Sequence, residues 1–453
     1  MKGPIQNRAQ RHGLSRREFL WLTSATSAGM LAGCAVNPVT GQRQLMLMSE
    51  GQEIEADRQY APHQFSSDLG VAQDAGLNRY LSDVGEKLTT VSHRTEMPYS
   101  FRAVNAVYVN AYAFPGGSIA TTRGILLAIE NEAELAALLG HEIGHVTARH
   151  TAERMSKAML LNVAVGLGSM LVSQKSETAG LVTAGVGMIG STLLLAKYSR
   201  DDERQADALG MEYMVKAGYT PEGMVGLMNV LRSLSSHSPG AIEMMFASHP
   251  MSEERYQTAV NRVNTVYGDN KSLPEGRERY MDHTAGLRRI RTAIEAMQKG
   301  QEAMARKKYA DAESLFTQAL TEAPDDYAGL VMMAHLQIAM DKPKAGEGFA
   351  EKARQVYPDE AQAHHIGGIA KLVQKKYAAA FERFDAYERI LPGDPNPIFL
   401  KGYSQEGMQH RPEAAREYTR YLQNVDQGQQ ADHARQRLTE WGYIQQETPA
   451  TTR

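Results

Sequence analysis

The 453-residue chain contains one cysteine, Cys34. A single thiol excludes a disulfide framework within the chain. An excess of either charge is also missing: 49 Lys and Arg stand against 52 Asp and Glu, for a formal net charge of -3. No basic face stands out, which argues against nucleic acid as a partner. Aromatics are sparse, at 7% with two tryptophans. Apolar runs long enough to cross a membrane are absent. Two charge-free stretches, 158–172 and 179–196, are rich in Gly, Ser and Thr. They are at or below the roughly 20 residues a spanning helix needs. What remains is a globular composition, 42% hydrophobic and 22% charged. The length suits two or three domains.

The N-terminus reads "SRREFLWLTSATSAGMLAGC". A basic head with Arg16 and Arg17 precedes a short apolar run over 19–32, then small residues. This is the shape of a secretory signal peptide. It resembles a twin-arginine signal, with Trp21 in place of a commonly basic residue. "LAGC" looks like a bacterial lipobox, in which Cys34 becomes the lipidated first residue of the mature protein. The apolar run is several residues too short for a transmembrane anchor. The expectation is a chain exported to the periplasm and tethered by lipid. Ala35, not an acidic residue, follows the cysteine, which favours the outer membrane.

From Ser49 to about Ser92 the pattern is helical, with Leu77, Leu81, Val84 and Leu88 three and four apart. From Tyr99 to Ile119 it alternates like strand, punctuated by Pro115, Gly116 and Gly117. A helix starts near Asn131, which with Glu134 forms a candidate capping box. Another begins near Ser199 and ends at Gly218. Thr220 and Pro221 open a third. The apolar stretches between the first two read as a buried, glycine-loosened helical pair or lid. A membrane-contacting hairpin is the alternative.

The C-terminal third repeats. Pro324, Pro358 and Pro392 keep a fixed period. So do Gly300, Ala334, Gly368 and Gly402, and also Ala312, Gly346, Ala380 and Ala414. Phe316, Phe384 and Tyr418 fall in register, with Ala350 as the exception. The period, small residues, aromatic and closing proline look like the tetratricopeptide repeat. Four units are expected over about 293–428, the last degenerate, followed by a capping helix.

The stretch "AALLGHEIGHVTARH" carries the chemistry. Residues i and i+4 share a helix face, so His141 and His145 can offer two imidazoles to one metal. Glu142 sits about 100° round, beside that metal and not on it. Zinc catalysis needs a third protein ligand and an open fourth position. Ala148 stands where the metzincin extension would need glycine. In "DDERQAD", Glu203 can complete a His₂Glu set. Asp207, one turn on, can accept the free N–H of a ligand histidine.

HEIGH, the later E-x-x-x-D and "SHPMSEER" resemble the HtpX/CaaX-prenyl-protease family of zinc metallopeptidases. "NAYAFPGG" is similar to that family's N-A-F-A-x-P-G-G, with Tyr112 for phenylalanine, and "NPVTGQRQLML" to the start of its exported lipoproteins. These motifs cover about 37–260. The resemblance implies one Zn²⁺ per chain, held by His141, His145 and Glu203, with Glu142 as general base. His249 and Arg255 are candidate donors to the tetrahedral oxyanion. His249 has a second implied role as a fourth zinc ligand that displaces water and holds the enzyme latent. Gly117, Ser118, Ile119 and Ala120 are expected to form an exposed edge strand against which an extended substrate pairs.

The expected fold is mainly α: a gluzincin-type α+β metallopeptidase domain with a small sheet, then an α-solenoid of tetratricopeptide repeats. The expected division is a signal peptide at 1–33, a lipid-tether linker at 34–48, the peptidase at 49–285 and the repeats at 290–445. The implied function is an exported, lipid-anchored zinc metalloendopeptidase. It would degrade misfolded or stalled envelope and outer-membrane proteins. The repeats would recruit the client or the outer-membrane barrel-assembly machinery. A chaperone or scaffold acting through the repeats, with an inert metal site, is the second reading. An integral-membrane CaaX-type protease is the third.

Overall fold

The computed structural model describes residues 34–165, 197–237 and 239–445. The signal peptide expected at 1–33 lies outside the described residues, as does the helical pair expected across 158–196 from residue 166 on. Among those described, no helix is long and apolar enough to cross a membrane.

The segment 34–48 is not a linker. Strand β1 (Cys34–Val36) pairs antiparallel with β2 (Arg43–Leu45). The amides of Asn37 and Gln44 both donate to the carbonyl of Ala148, at 3.3 and 3.4 Å. Met46 and Met48 pack with Ala56, Ala152 and Met155. The expectation failed because these anchoring partners lie about a hundred residues away in sequence.

Helix α1 (Glu50–Ser67) begins in a capping box made by Ser49 and Gln52. Helix α2 (Ala75–Thr89) is capped by Asp74 and buries Leu77, Leu81, Val84 and Leu88 as the spacing predicted. Strands β3 (Ser100–Val104), β4 (Ala111–Ala113) and β5 (Ser118–Thr122) form a sheet in the order β3-β5-β4. β5 runs parallel to β3, with Ile119 opposite Phe101, and antiparallel to β4, with Ala120 opposite Tyr112.

This order corrects the substrate-strand expectation. Ser118, Ile119 and Ala120 lie in the central strand, Gly117 stands just before it, and Ile119 is 1% exposed. β3 pairs with one side of β5 and β4 with the other, so β5 offers no free edge to a substrate. Proline at Ile119 would break the sheet and would not report on substrate pairing.

Helix α3 (Arg123–Ala128) leads to α4 (Glu132–Thr147), which is buried along its whole length. After α5 (His150–Val165), helix α6 (Arg200–Lys216) packs against α4. The contact is made through glycines. A Cβ on Gly140 would stand 3.0 Å from the Gly210 carbonyl oxygen, and one on Gly210 would stand 2.8 Å from the His141 nitrogen. Two backbones this close leave no room for side chains, and the approach brings α6 onto the HEIGH helix. Gly218, at φ 89°, ends α6 as predicted. The domain is completed by α7 (Glu222–His237), α8 (Pro239–Ser248), α9 (Glu253–Thr265), α10 (Arg277–His283) and α11 (Ala285–Arg289).

Four helix pairs follow: α12 (Arg291–Ala305) with α13 (Tyr309–Glu322), α14 (Tyr327–Ala339) with α15 (Pro343–Val356), α16 (Ala361–Val373) with α17 (Tyr377–Ile390), and α18 (Pro395–Gly407) with α19 (Arg411–Leu422). α20 (Gln429–Glu440) caps the stack. Lys307, Asp341, Lys375 and Gln409 occupy the left-handed region at the same period, one between the helices of each pair. The packing explains the repeat's exception. Cβ atoms on Gly300 and Gly368 would lie 2.4 Å from the rings of Phe316 and Phe384, and one on Gly402 would lie 2.7 Å from Tyr418. The second unit has Ala334 where the others have glycine, and Ala350 where they have the aromatic.

The repeats fold back onto the peptidase domain. Ile294, Met297, Phe316 and Leu336 belong to the same hydrophobic core as Leu126, Leu139 and Tyr213. The Gln298 amide donates to the Val107 carbonyl at 2.6 Å, and Ser66 in α1 bonds Glu360.

Candidate metal centre

Asn131 caps α4 by accepting from the Glu134 N–H. The Glu134 carboxylate reaches past Asn131 to the N–H of Glu130, at 2.7 Å, so the expected box is displaced by one residue. The helix then sets His141 and His145 on one face, with their Nε2 atoms 3.1 Å apart. α6 starts in a capping box of Ser199 and Asp202, which places Glu203 in its first turn. Glu203 is fully buried, with Oε1 3.4 Å from His145 Nε2 and Oε2 3.7 Å from His141 Nε2. His249 follows the end of α8 and joins them, its Nδ1 3.1 Å from Glu203 Oε1 and 3.4 Å from His141 Nε2.

The potential ligand atoms of these four buried residues all lie within 4.8 Å of one another. Donors about 2.0–2.1 Å from a tetrahedral ion stand roughly 3.4 Å apart. The observed separations fit that geometry, and the donor set of imidazole and carboxylate suits zinc. Glu142 lies beside the cluster, with Oε1 3.9 Å from His249 Nε2. Both its carboxylate oxygens are buried with no hydrogen-bond partner among the described residues. Such a group is costly unless it faces something polar in the working enzyme.

The charges are arranged unequally. Burial pushes the Glu142 carboxyl up from its ordinary range. Burial also opposes ionisation of Glu203, but the charge of His249 and hydrogen bonds from His145 and His249 outweigh it and hold this carboxyl well below. Asp207 accepts from His141 Nδ1 at 3.0 Å, so it stands where the sequence expected the tautomer-fixing acid.

Arg255 does not stand free as an oxyanion donor. Its Nε and Nη2 clamp the two oxygens of Asp207 at 2.7 Å each, its Nη1 reaches Glu203 Oε2 at 2.5 Å, and the same Nη1 donates to the Pro250 carbonyl. A guanidinium committed to the fully buried Glu203 and the mostly buried Asp207 positions them. The sequence could not assign these partners because both carboxylates lie on another helix. Cys34 lies in β1, far along the chain from the cluster.

Two neighbours carry no signal that the spacing rules single out. Tyr198 stacks on the His145 ring with centroids 3.8 Å apart, and its N–H donates to the Ser248 carbonyl beside His249. No local pattern marks it. His150 contacts His145 Nδ1 at 2.9 Å. It stands in the same stretch as the motif, five residues on, where a continuous helix would point it away.

Comparison with known proteins agrees with this geometry. Residues 75–263 match peptidase family M48, and residues 303–368 match the tetratricopeptide repeat. The M48 match spans the segment that holds His141, His145, Glu203 and His249, and the chain is a metallopeptidase carrying tetratricopeptide repeats. It is 26% identical over 445 residues to the beta-barrel assembly-enhancing protease of Yersinia pestis, covering 92% of this chain and 87% of that one. The protein of the same name from Escherichia coli (strain K12) is 28% identical over 48% of this chain, and the match spans 45% of the relative. Metalloprotease YcaL of Escherichia coli (strain K12) is 27% identical over 54% of this chain and 96% of its own length.

Proposed function

We propose that this chain is an exported, lipid-anchored zinc endopeptidase that degrades misfolded or stalled envelope proteins, with the repeats binding the client or the barrel-assembly machinery. The observation that carries the peptidase part is the set His141, His145, Glu203 and His249 beside the unpartnered carboxylate of Glu142. Likeness to the beta-barrel assembly-enhancing proteases supports the envelope setting. The "LAGC" sequence supports the anchor at Cys34.

His141, His145 and Glu203 would hold the zinc. When bound, it supplies Lewis acidity to the scissile carbonyl and to the attacking water. Glu142 takes the water's proton and passes it to the leaving amine. A carboxyl pushed up by burial suits both halves of that transfer. Asp207 holds the Nδ1 proton of His141, and Arg255 holds Asp207 and Glu203 in place. His249 occupies the fourth corner of the cluster, which supports a latent resting state.

The test is cleavage of an unfolded protein by the form that starts after Cys34, wild type beside Glu142→Gln. Cleavage by the wild type alone is expected. If both cleave alike, Glu142 is not the base. If neither cleaves, including on a His249→Ala background, the reading as scaffold or chaperone takes its place. The stacked repeat helices give that second reading its surface.

A further inference from the structure

We propose that His150 fixes the tautomer and orientation of His145 through a relay that ends at Gln205, so that the two helical zinc ligands are held by different chemistry. This rests on the zinc reading above. Its starting point is a break in the chain. α4 ends at Thr147, Ala148 caps it, and Arg149 takes φ 63° before α5 opens at His150. In an uninterrupted helix His150 would lie about 140° round from His145, pointing elsewhere. The left-handed residue turns it back. Arg149 is itself held there, its Nε 2.8 Å from Glu53 Oε1 and its Nη2 2.8 Å from the Met48 carbonyl. A non-glycine residue keeps this conformation only where its surroundings enforce it.

The hydrogen positions follow from one requirement. On the zinc reading, His145 Nε2, which faces Glu203 and His141 Nε2, gives its lone pair to the ion once that is bound, which leaves the proton on Nδ1. That proton points at His150 Nδ1, 2.9 Å away, which must therefore accept. His150 then carries its own proton on Nε2 and donates it to Gln205 Oε1 at 3.1 Å. Asp202 Oδ1, 3.7 Å from the same Nε2, favours the same direction. Turning the Gln205 amide round would place a donor against a donor, and would force the proton off His145 Nδ1 or onto its ligating nitrogen. Both histidines are buried, at 0% and 3% exposure, so water cannot replace a missing partner. His141 leans on the carboxylate of Asp207, whereas His145 leans on a neutral imidazole. Outer partners of this kind orient a ligand and raise its basicity.

The experiment measures zinc affinity of the full-length chain by competition with a chromophoric chelator, for wild type, His150→Phe and His150→Asn. Phenylalanine keeps the ring's bulk without an acceptor. Asparagine places Oδ1 where Nδ1 stood. His150→Phe is expected to weaken zinc binding by about 10–100-fold. His150→Asn is expected to restore most of that loss. Wild-type affinity in the Phe variant, or an Asn variant as weak as Phe, overturns the inference. Should His150→Phe not fold, Gln205→Leu at the outer end of the relay carries the same readout: a several-fold loss supports the relay and an unchanged affinity overturns it. A wild type that takes up no zinc sinks the metallopeptidase reading as well. Tight wild-type binding with an unaffected Phe variant sinks this inference alone.

Discussion

Arg123, at the start of α3, meets Asp326, the cap of α14, in a two-point ion pair at 2.5 and 3.2 Å. The side chains are 6% and 5% exposed. Asp326 also accepts the Gly329 N–H, so the residue that starts the second repeat is the one that bolts it to α3. Removing one partner leaves the other charge buried. Arg123→Met should therefore cost about 3–5 kcal/mol in urea unfolding. Adding Asp326→Asn, which keeps a capping oxygen, should recover part of that loss. An Arg123→Met protein as stable as wild type would show that the pair adds nothing.

Gly300→Ala tests the repeat packing against helix propensity. Propensity alone favours alanine by about 1 kcal/mol. The new Cβ would lie 2.4 Å from the Phe316 ring, and overpacking of this kind typically costs about 1–3 kcal/mol. A net fall in Tm is expected. A rise would mean that the ring moves aside freely.

Acid should weaken the repeats. His365 is 2% exposed, and burial pushes its imidazole down to about 3, with His335 adding to the effect. Unfolded, the ring titrates near 6.5. Below that pH the unfolded chain binds a proton that the folded chain refuses. The stability contribution is therefore complete above pH 6.5 and is lost as pH falls toward 3. The slope reaches up to about 1.4 kcal/mol per pH unit. His365→Leu should flatten the dependence across the acid side of that window, measured by urea unfolding at each pH. An unchanged slope would place the acid sensitivity elsewhere.

If His249 holds the enzyme latent, His249→Ala should cleave an unfolded substrate faster than wild type. Equal or slower cleavage would remove latency and leave His249 as an aid to the transition state.

Features that depend on local spacing are legible in the amino-acid sequence. The HEIGH helix, the placing of Asp207 one turn after Glu203, the helix start near Ser199 and the end at Gly218 follow from residues close together in the chain, and the repeats follow from their regular period. Features set by distant pairing are not. The order β3-β5-β4 depends on β3 returning beside β5, and no local pattern specifies that. Arg255 looks available in the sequence because its partners, Asp207 and Glu203, lie on another helix. The hairpin at 34–48 reads as a tether because Ala148 and Ser156, which hold it, are about a hundred residues away. Continuous helical geometry points His150 away from His145, and the positive φ of Arg149 is what reverses that.

The first repeat shares one hydrophobic core with the peptidase domain, and this has a consequence for how the protein can be divided. A cut near residue 290 would strip Ile294, Met297 and Phe316 from Leu126 and Leu139, leaving a raw apolar wound on each half. Neither fragment would be a fair stand-in for the whole. The first repeat and the peptidase domain are thus parts that must melt and refold together. Whatever bends the repeats pushes on the frame that carries the catalytic helix.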